Sequence, residues 1–282
     1  MISTVQEFHY RVLWPAAGHF PGHHRSRRGE SGFEFRGHVP LLDAPDPRRL
    51  DLHASLRDPF GQWIVRVYSQ RKSVPVYLLA DLSASMGFVG AQRKLDVVAD
   101  FTESLAYSAC RTGDSFGFIG CDEAVRSDFL LPLTRAKGAG TGLGAALRGF
   151  QPEGRSVEGL QQAHRYLSRQ RSLVFLLSDF HFPLSQTESL QATLSRHQVI
   201  PVVIWDAAEF SLPSGSGIAY LTDPETGQRR LIWLRKTVRK KWSGQRRQRQ
   251  TKLEELFRGH HLKPLFLTHG FSADAITAHF FS

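Results

Sequence analysis

The sequence predicts an α/β protein: a doubly wound, mostly parallel sheet, with a small β-rich module formed by the N-terminal segment. Three observations carry this. From residue 74 onward, apolar runs of strand length alternate with segments of helical periodicity. Three of those runs end in an aspartate, at Asp81, Asp179 and Asp206, and in sheets of this kind ligands gather at the carboxyl ends of the strands. Residues 1–50, by contrast, are short on periodicity and rich in Gly, Pro, His and Arg.

In chain order, the cluster from His23 to Glu30 reads as a solvated basic arm or an anion-binding loop. Alternation returns at Arg48 to His53, and Trp63 to Tyr68 has the aromatic and β-branched content of a strand. The apolar run from Val74 to Ala80 is a buried strand delivering Asp81, Ser83 and Ser85 onto a turn that Gly87 lets bend. A helix follows at about 91–110, then a strand at Ser115 to Cys121 and a partner strand at Val125 to Leu131. The Gly-rich loop Lys137 to Gly142 leads into a short helix through Leu147, and a further helix is expected at about 156–169. Next come a strand at Leu173 to Ser178, a helix at about 185–197 and a strand at Val199 to Trp205.

Beyond the sheet, residues 217–234 read as a hairpin around Asp223 to Gly227. A basic helix at about 236–258 has only a thin apolar stripe, Val238, Trp242, Leu253, Leu256 and Phe257. A short strand at Pro264 to Leu267 and a helix capped by Ser272 close the chain. The expected division is 1–72, 73–210 and 211–282.

The chain has 282 residues, 41% hydrophobic and 22% charged, as in an ordinary globular protein. No stretch approaches the roughly 18 to 20 apolar residues of a membrane span, and the first residues lack the apolar core of a signal peptide, so a cytoplasmic protein is expected. Cys110 and Cys121 give neither a disulfide framework nor a metal cage and are read as reduced and buried. The net charge of +10 favours an acidic partner, which nucleic acid, an anionic membrane surface or a protein would satisfy.

Asp81, Ser83 and Ser85 place three oxygen-bearing side chains at alternate positions past a strand end, which suits a hard cation such as magnesium, with calcium or manganese as alternatives. Thr141 on the Gly-rich loop and Asp179 at the next strand end complete a candidate metal site of five residues. Two plainer readings stand beside it: a turn-forming Asp81 with Ser83 and Ser85 as helix caps, or an ion that only stabilises the fold. His181 is read as packing on Phe180 or Phe182, Asp206 as capping a loop, and Met86 as a core residue. Catalysis is disfavoured. A phosphate-accepting Asp81 would want a second Asp where Ser83 stands, Gly138 to Gly142 lacks the lysine of a phosphate loop, and Gly215-Ser216-Gly217 is only a fragment of a nucleophile elbow.

The five-residue set resembles the metal-ion-dependent adhesion site of von Willebrand factor A domains, a Rossmann-like fold. Position by position, Asp81 matches the first aspartate, Ser83 and Ser85 the serines, Thr141 the threonine and Asp179 the second aspartate. The chain is further similar to bacterial proteins of domain-of-unknown-function family 58, often encoded beside MoxR-type AAA+ ATPases. The similarity lies in the basic entry near Arg28 to Phe35, Arg49-Leu50-Asp51, the Arg66 strand and the Asp223 to Gly227 turn. His53 departs from the tryptophan that many members carry after the early Asp.

The resemblance implies a non-catalytic, metal-dependent adaptor. An acidic residue of a client protein or of a MoxR-type ATPase would reach the ion, in maturation or in metal or cofactor insertion, for example into a methanol dehydrogenase-type enzyme. The competing reading is a nucleic-acid binder using Arg25, Arg27, Arg28 and the 236–252 helix, since clustered Lys and Arg release counterions from phosphates.

Overall fold

The computed structural model describes residues 5–14, 21–25, 34–69, 71–210, 217–222, 229–233 and 235–282. The rest of the basic cluster after Arg25 and the Asp223 to Gly227 turn therefore lie outside the described residues. The chain forms two units, a smaller one of Val12–Val74 with Thr112–Asp114 and a larger one of residues 1–11, 75–111 and 115–282.

In the smaller unit, β1 (Pro21–Arg25) pairs antiparallel with β4 (Arg71–Lys72), and β2 (Glu34–Pro40) with β3 (Ile64–Ser69). Asp51 joins its parts. One carboxylate oxygen caps the short helix α1 (Leu52–Leu56) through Ala54 N at 3.1 Å, and the other lies 2.7 Å from Arg66 Nε and 2.9 Å from His38 Nε2. The Arg66 hydrogen bond first, then those from Ala54 and His38, hold this carboxyl well below the usual carboxylate range. A depressed pKa contributes stability above the unfolded value of about 3.9 and loses it as pH falls further. Wild type and Asp51→Asn should thus differ in melting temperature at pH 7, and the difference should shrink progressively as pH falls below about 4, as followed by circular dichroism.

The larger unit holds a six-stranded sheet of β5 (Pro75–Asp81), β6 (Ser115–Cys121), β7 (Val125–Thr134), β8 (Leu173–Ser178), β9 (Gln198–Ile204) and β12 (Leu265–Leu267). Its order is β12-β9-β8-β5-β6-β7, with β7 antiparallel to β6 and every other neighbouring pair parallel. Every residue of β5, β8 and β9 is buried, as expected of parallel strands covered on both faces. The hairpin β10 (Ile218–Thr222) and β11 (Arg229–Trp233) pairs Ile218 with Trp233, as its sequence predicts.

On one face of the sheet, α2 (Lys94–Arg111) sets Phe101 beside Phe175 of β8, their rings 5.4 Å apart. Phe8, from the first described residues, packs 5.5 Å from Phe101, and Phe280 of α7 (Ala273–Phe281) 6.0 Å from Phe175. The other face carries Tyr77, Leu79, Val174 and Leu176 under α4 (Glu158–Gln162), α5 (Leu184–Leu194) and α6 (Lys236–Gly259). The remaining helix, α3 (Ala139–Gly149), lies along α2.

This corrects the expected three-part division. Residues 5–11 belong with the sheet through Phe8, and the C-terminal extension is integral, because β12 adds to β9 and α6 buries Leu253 and Phe257 completely. A thin stripe is enough when two of its residues reach the core. Among the described residues, no helix is long and apolar enough to cross a membrane. Both cysteines are free; Cys121 is buried, and burial pushes its thiol upward, while Cys110 is only half-buried.

Candidate functional site

The order of the strands reverses at β5: the chain leaves it for β6 and β7 on one side and returns to β8, β9 and β12 on the other. Such a switch opens a crevice at the carboxyl ends of the adjoining strands, and Asp81 and Asp179 end those two strands. Asp81 Oδ1 accepts from Ser83 N at 2.9 Å, its Oδ2 accepts from Ser178 Oγ at 2.7 Å, and the hydroxyls of Ser83 and Ser85 stand 3.2 Å apart. Asp179 Oδ1 accepts from His181 N at 3.2 Å, and its backbone carbonyl takes the Trp205 indole N–H at 2.8 Å. Asp81, Ser83 and Asp179 are wholly buried and Ser85 nearly so.

The loop after Asp179 is held in a costly conformation. Phe180 has a φ of 51°, in the left-handed region that non-glycine residues avoid. Its ring is fixed 5.7 Å from that of Phe182 and 5.4 Å from that of Phe257, and Arg249 of α6 donates to the carbonyls of Phe180 and Phe182.

The residue that the sequence reading missed is Lys94. Its ammonium, 2% exposed, lies 2.7 Å from Asp179 Oδ2, 3.1 Å from Glu209 Oε2 and 3.4 Å from the Ser85 carbonyl. A signal was available: a lysine opening a helix sits at the wrong end of the macrodipole, so a carboxylate nearby is the natural explanation. Burial works against its charge, but Asp179 and Glu209 outweigh it and raise the Lys94 pKa. Burial likewise works against an ionised Asp179, which Lys94 and then His181 nonetheless hold well below the usual carboxylate range. Asp81 has no such cation, and burial, then the charge of Asp179, push it up to about 6.

Thr141 is not brought to this cluster. The Gly-rich segment is already helix from Ala139, and Thr141 is exposed in the first turn of α3. Its neighbour Gly140 abuts α2 at Ala106, where an added Cβ would stand 2.6 Å from the Ala106 Cβ. Ala106 is about 18 Å along α2 from Lys94 at 1.5 Å per residue. The opposite end of α3 is the one near the start of α2, where Arg93 donates to the carbonyls of Arg148, at 2.6 Å, and Phe150.

The loop that reaches the Asp81 turn comes next in the chain. Ala84 N donates to the Gly154 carbonyl at 2.7 Å, Ser83 bridges to Gly154, and Pro152 crowds Gly87. The hydroxyl on that loop is the half-buried Ser156. Gly154-Arg155-Ser156 repeats the glycine and hydroxyl of Gly140-Thr141, a signal that the richer glycine run concealed.

The other expectations fall out differently. His181 stacks on Trp205, 6.2 Å and 5° between rings, and its Nε2 lies 2.8 Å from Glu209, rather than packing on Phe180 or Phe182. Asp206 caps two loops, accepting from Ala91 N and Ala208 N at 2.8 Å each. Met86 is a fully buried core residue. In α6, Arg249 serves the Phe180 loop and Arg246 lies over the Phe210 ring at 5.8 Å.

A divalent ion suits the donors that do assemble. Two hydroxyls and two carboxylates are the hard oxygens such an ion prefers. Among the described residues, no three His, Cys, Asp or Glu side chains gather closely enough to hold a metal ion by themselves, so the hydroxyls of Ser83 and Ser85 would have to supply part of the shell. Asp179 and Glu209 share the ammonium of Lys94, while the Asp81 carboxylate is held by the Ser83 N–H and the Ser178 hydroxyl. Asp81, Ser83, Ser85 and Asp179 therefore fit a divalent cation in the chemistry of their donors.

A family described as a protein of unknown function, DUF58, matches residues 45–252. An uncharacterized protein in the moxR 3′ region of Paracoccus denitrificans is 34% identical over 104 residues, 35% of this chain and 94% of that protein. Among solved structures, the chain is similar to the conserved hypothetical protein BatB from Bacteroides thetaiotaomicron, with 16% identity, 74% and 96% of the two chains covered and a TM-score of 0.43. It is also similar to proximal thread matrix protein 1 of the mussel byssus, solved with a zinc-occupied MIDAS motif, at 20% identity, with 47% and 38% covered and a TM-score of 0.34. With the model matching well over half of its length, the chain belongs to the DUF58 family.

Proposed function

We propose that the chain is a non-catalytic interaction module whose strand-end site takes a divalent cation, magnesium in the first place, and through it grips an acidic residue of a partner protein. The observation that carries this reading is the meeting of Asp81, Ser83, Ser85 and Asp179 at the switch point of the sheet. These four residues would hold the ion, which would supply a Lewis-acidic position for a carboxylate. The chain's own part is to fix the donors: Ser178 orients Asp81, Trp205 and Arg249 fix the Asp179 loop, and burial keeps water from competing.

The partner proposed is a MoxR-type AAA+ ATPase or its client, in maturation or cofactor insertion. It is suggested by the moxR 3′ location of the Paracoccus denitrificans relative. The test is recovery of the neighbouring ATPase on immobilised wild type and Asp81→Ala, with magnesium or with EDTA. Recovery should fall at least tenfold in the variant and on chelation. Equal recovery in all conditions would sink the proposal.

A further inference from the structure

We propose that Lys94 is a built-in competitor of the divalent cation: its ammonium holds the strand-end site closed when no ion is bound, and an ion gains Asp179 only by displacing it. This rests on reading Asp81, Ser83, Ser85 and Asp179 as a cation site.

The geometry is that of a resident counter-ion. Lys94 Nζ lies 2.7 Å from Asp179 Oδ2 and 3.4 Å from the carbonyl of Ser85, so it already occupies two oxygens, one from each strand-end turn. Both side chains of the pair are sealed from solvent, at 2% and 0% exposure. A magnesium–oxygen bond is about 2.0–2.1 Å, so an ion on that same oxygen would stand within about 5 Å of the ammonium. Like charges at that separation, with little water between them, repel far more strongly than they would at a surface.

Glu209 supplies an alternative seat. It stands on the turn Ala207–Phe210, 3.1 Å from Nζ, and is itself oriented by Asp206 N on one oxygen and His181 on the other. An ammonium leaving Asp179 stays paired with Glu209 and need not enter solvent. The site therefore exchanges one cation for another without ever leaving Asp179 and Glu209 together unpaired. Its affinity for the divalent ion is lower, and more easily reversed, than the four donors alone would give.

The experiment is a manganese titration, followed by the loss of the free-ion electron paramagnetic resonance signal, on wild type and on Lys94→Gln/Glu209→Gln. The double variant removes one positive and one negative charge, so the local net charge is unchanged and a gain must come from freeing Asp179. It should bind manganese at least tenfold more tightly than wild type. Equal or weaker binding overturns the competition while leaving the cation reading in place, provided wild type binds. No binding by either protein overturns both, as does undiminished binding by Asp81→Asn.

Should the double variant fail to fold by circular dichroism, Lys94→Arg decides. A guanidinium grips a carboxylate through two bonds where an ammonium acts as a point charge, so manganese affinity should fall at least threefold. Unchanged or tighter binding in that variant overturns the proposal.

Discussion

Replacing Lys94 by methionine is expected to lower the unfolding free energy by about 3 to 5 kcal/mol, the range found when one partner of a buried ion pair is removed. The cost arises because Asp179, wholly buried, and Glu209, 9% exposed, would be left without their ammonium. Chemical denaturation at pH 7 in the absence of divalent ions measures it. The pH dependence provides a second check with a definite sign. The folded pKa of Lys94 is raised above its ordinary 10.5, so its contribution is complete below that value and is lost as pH rises through the folded value. Wild type and Lys94→Met should thus differ at neutral pH and converge in alkali. A loss under 1 kcal/mol at pH 7 would show that the pair does not hold the site together.

The second large effect is expected at Phe257, in the basic helix. Phe257→Ala should cost about 3 to 5 kcal/mol, as for a buried aromatic whose space cannot collapse. Its ring is fully buried and meets Phe180 edge-on at 85°, so the deletion also removes a wall from the left-handed residue that follows Asp179. Loosening that residue should weaken manganese binding along with stability. An exposed basic helix, free to bind nucleic acid with both faces, would tolerate the same substitution within about 0.5 kcal/mol. Denaturant unfolding of the variant separates the two cases.

Much of the fold was legible because its signals are local. Buried parallel strands read as unbroken apolar runs, and the seven residues of β5 and six of β8 stand where such runs predict. Asp81, Ser83 and Ser85 lie within five positions of one another, so one turn brings them together whatever the rest of the chain does. Asp179 was legible for a related reason, since a strand-terminal aspartate in this architecture has few places to go.

Thr141 shows where that reasoning fails. Two glycine–hydroxyl segments lie within twenty residues, and only the direction of α3 along α2 decides which one arrives at the carboxyl edge of the sheet. The division of the chain failed similarly. Whether a short tail strand stands alone or pairs with β9 depends on a parallel register, Leu265 with Val202, that no local pattern encodes.

By itself the sequence determined an α/β sheet with carboxylates at its strand ends and the Asp81, Ser83, Ser85 turn, because periodicity and turn chemistry act over a few residues. Only the tertiary structure decided which loop meets that turn, that the tail completes the sheet, and that the ammonium of Lys94 lies against Asp179. These are juxtapositions across tens of residues, fixed by how helices pack and by the cost of leaving a buried charge without a partner.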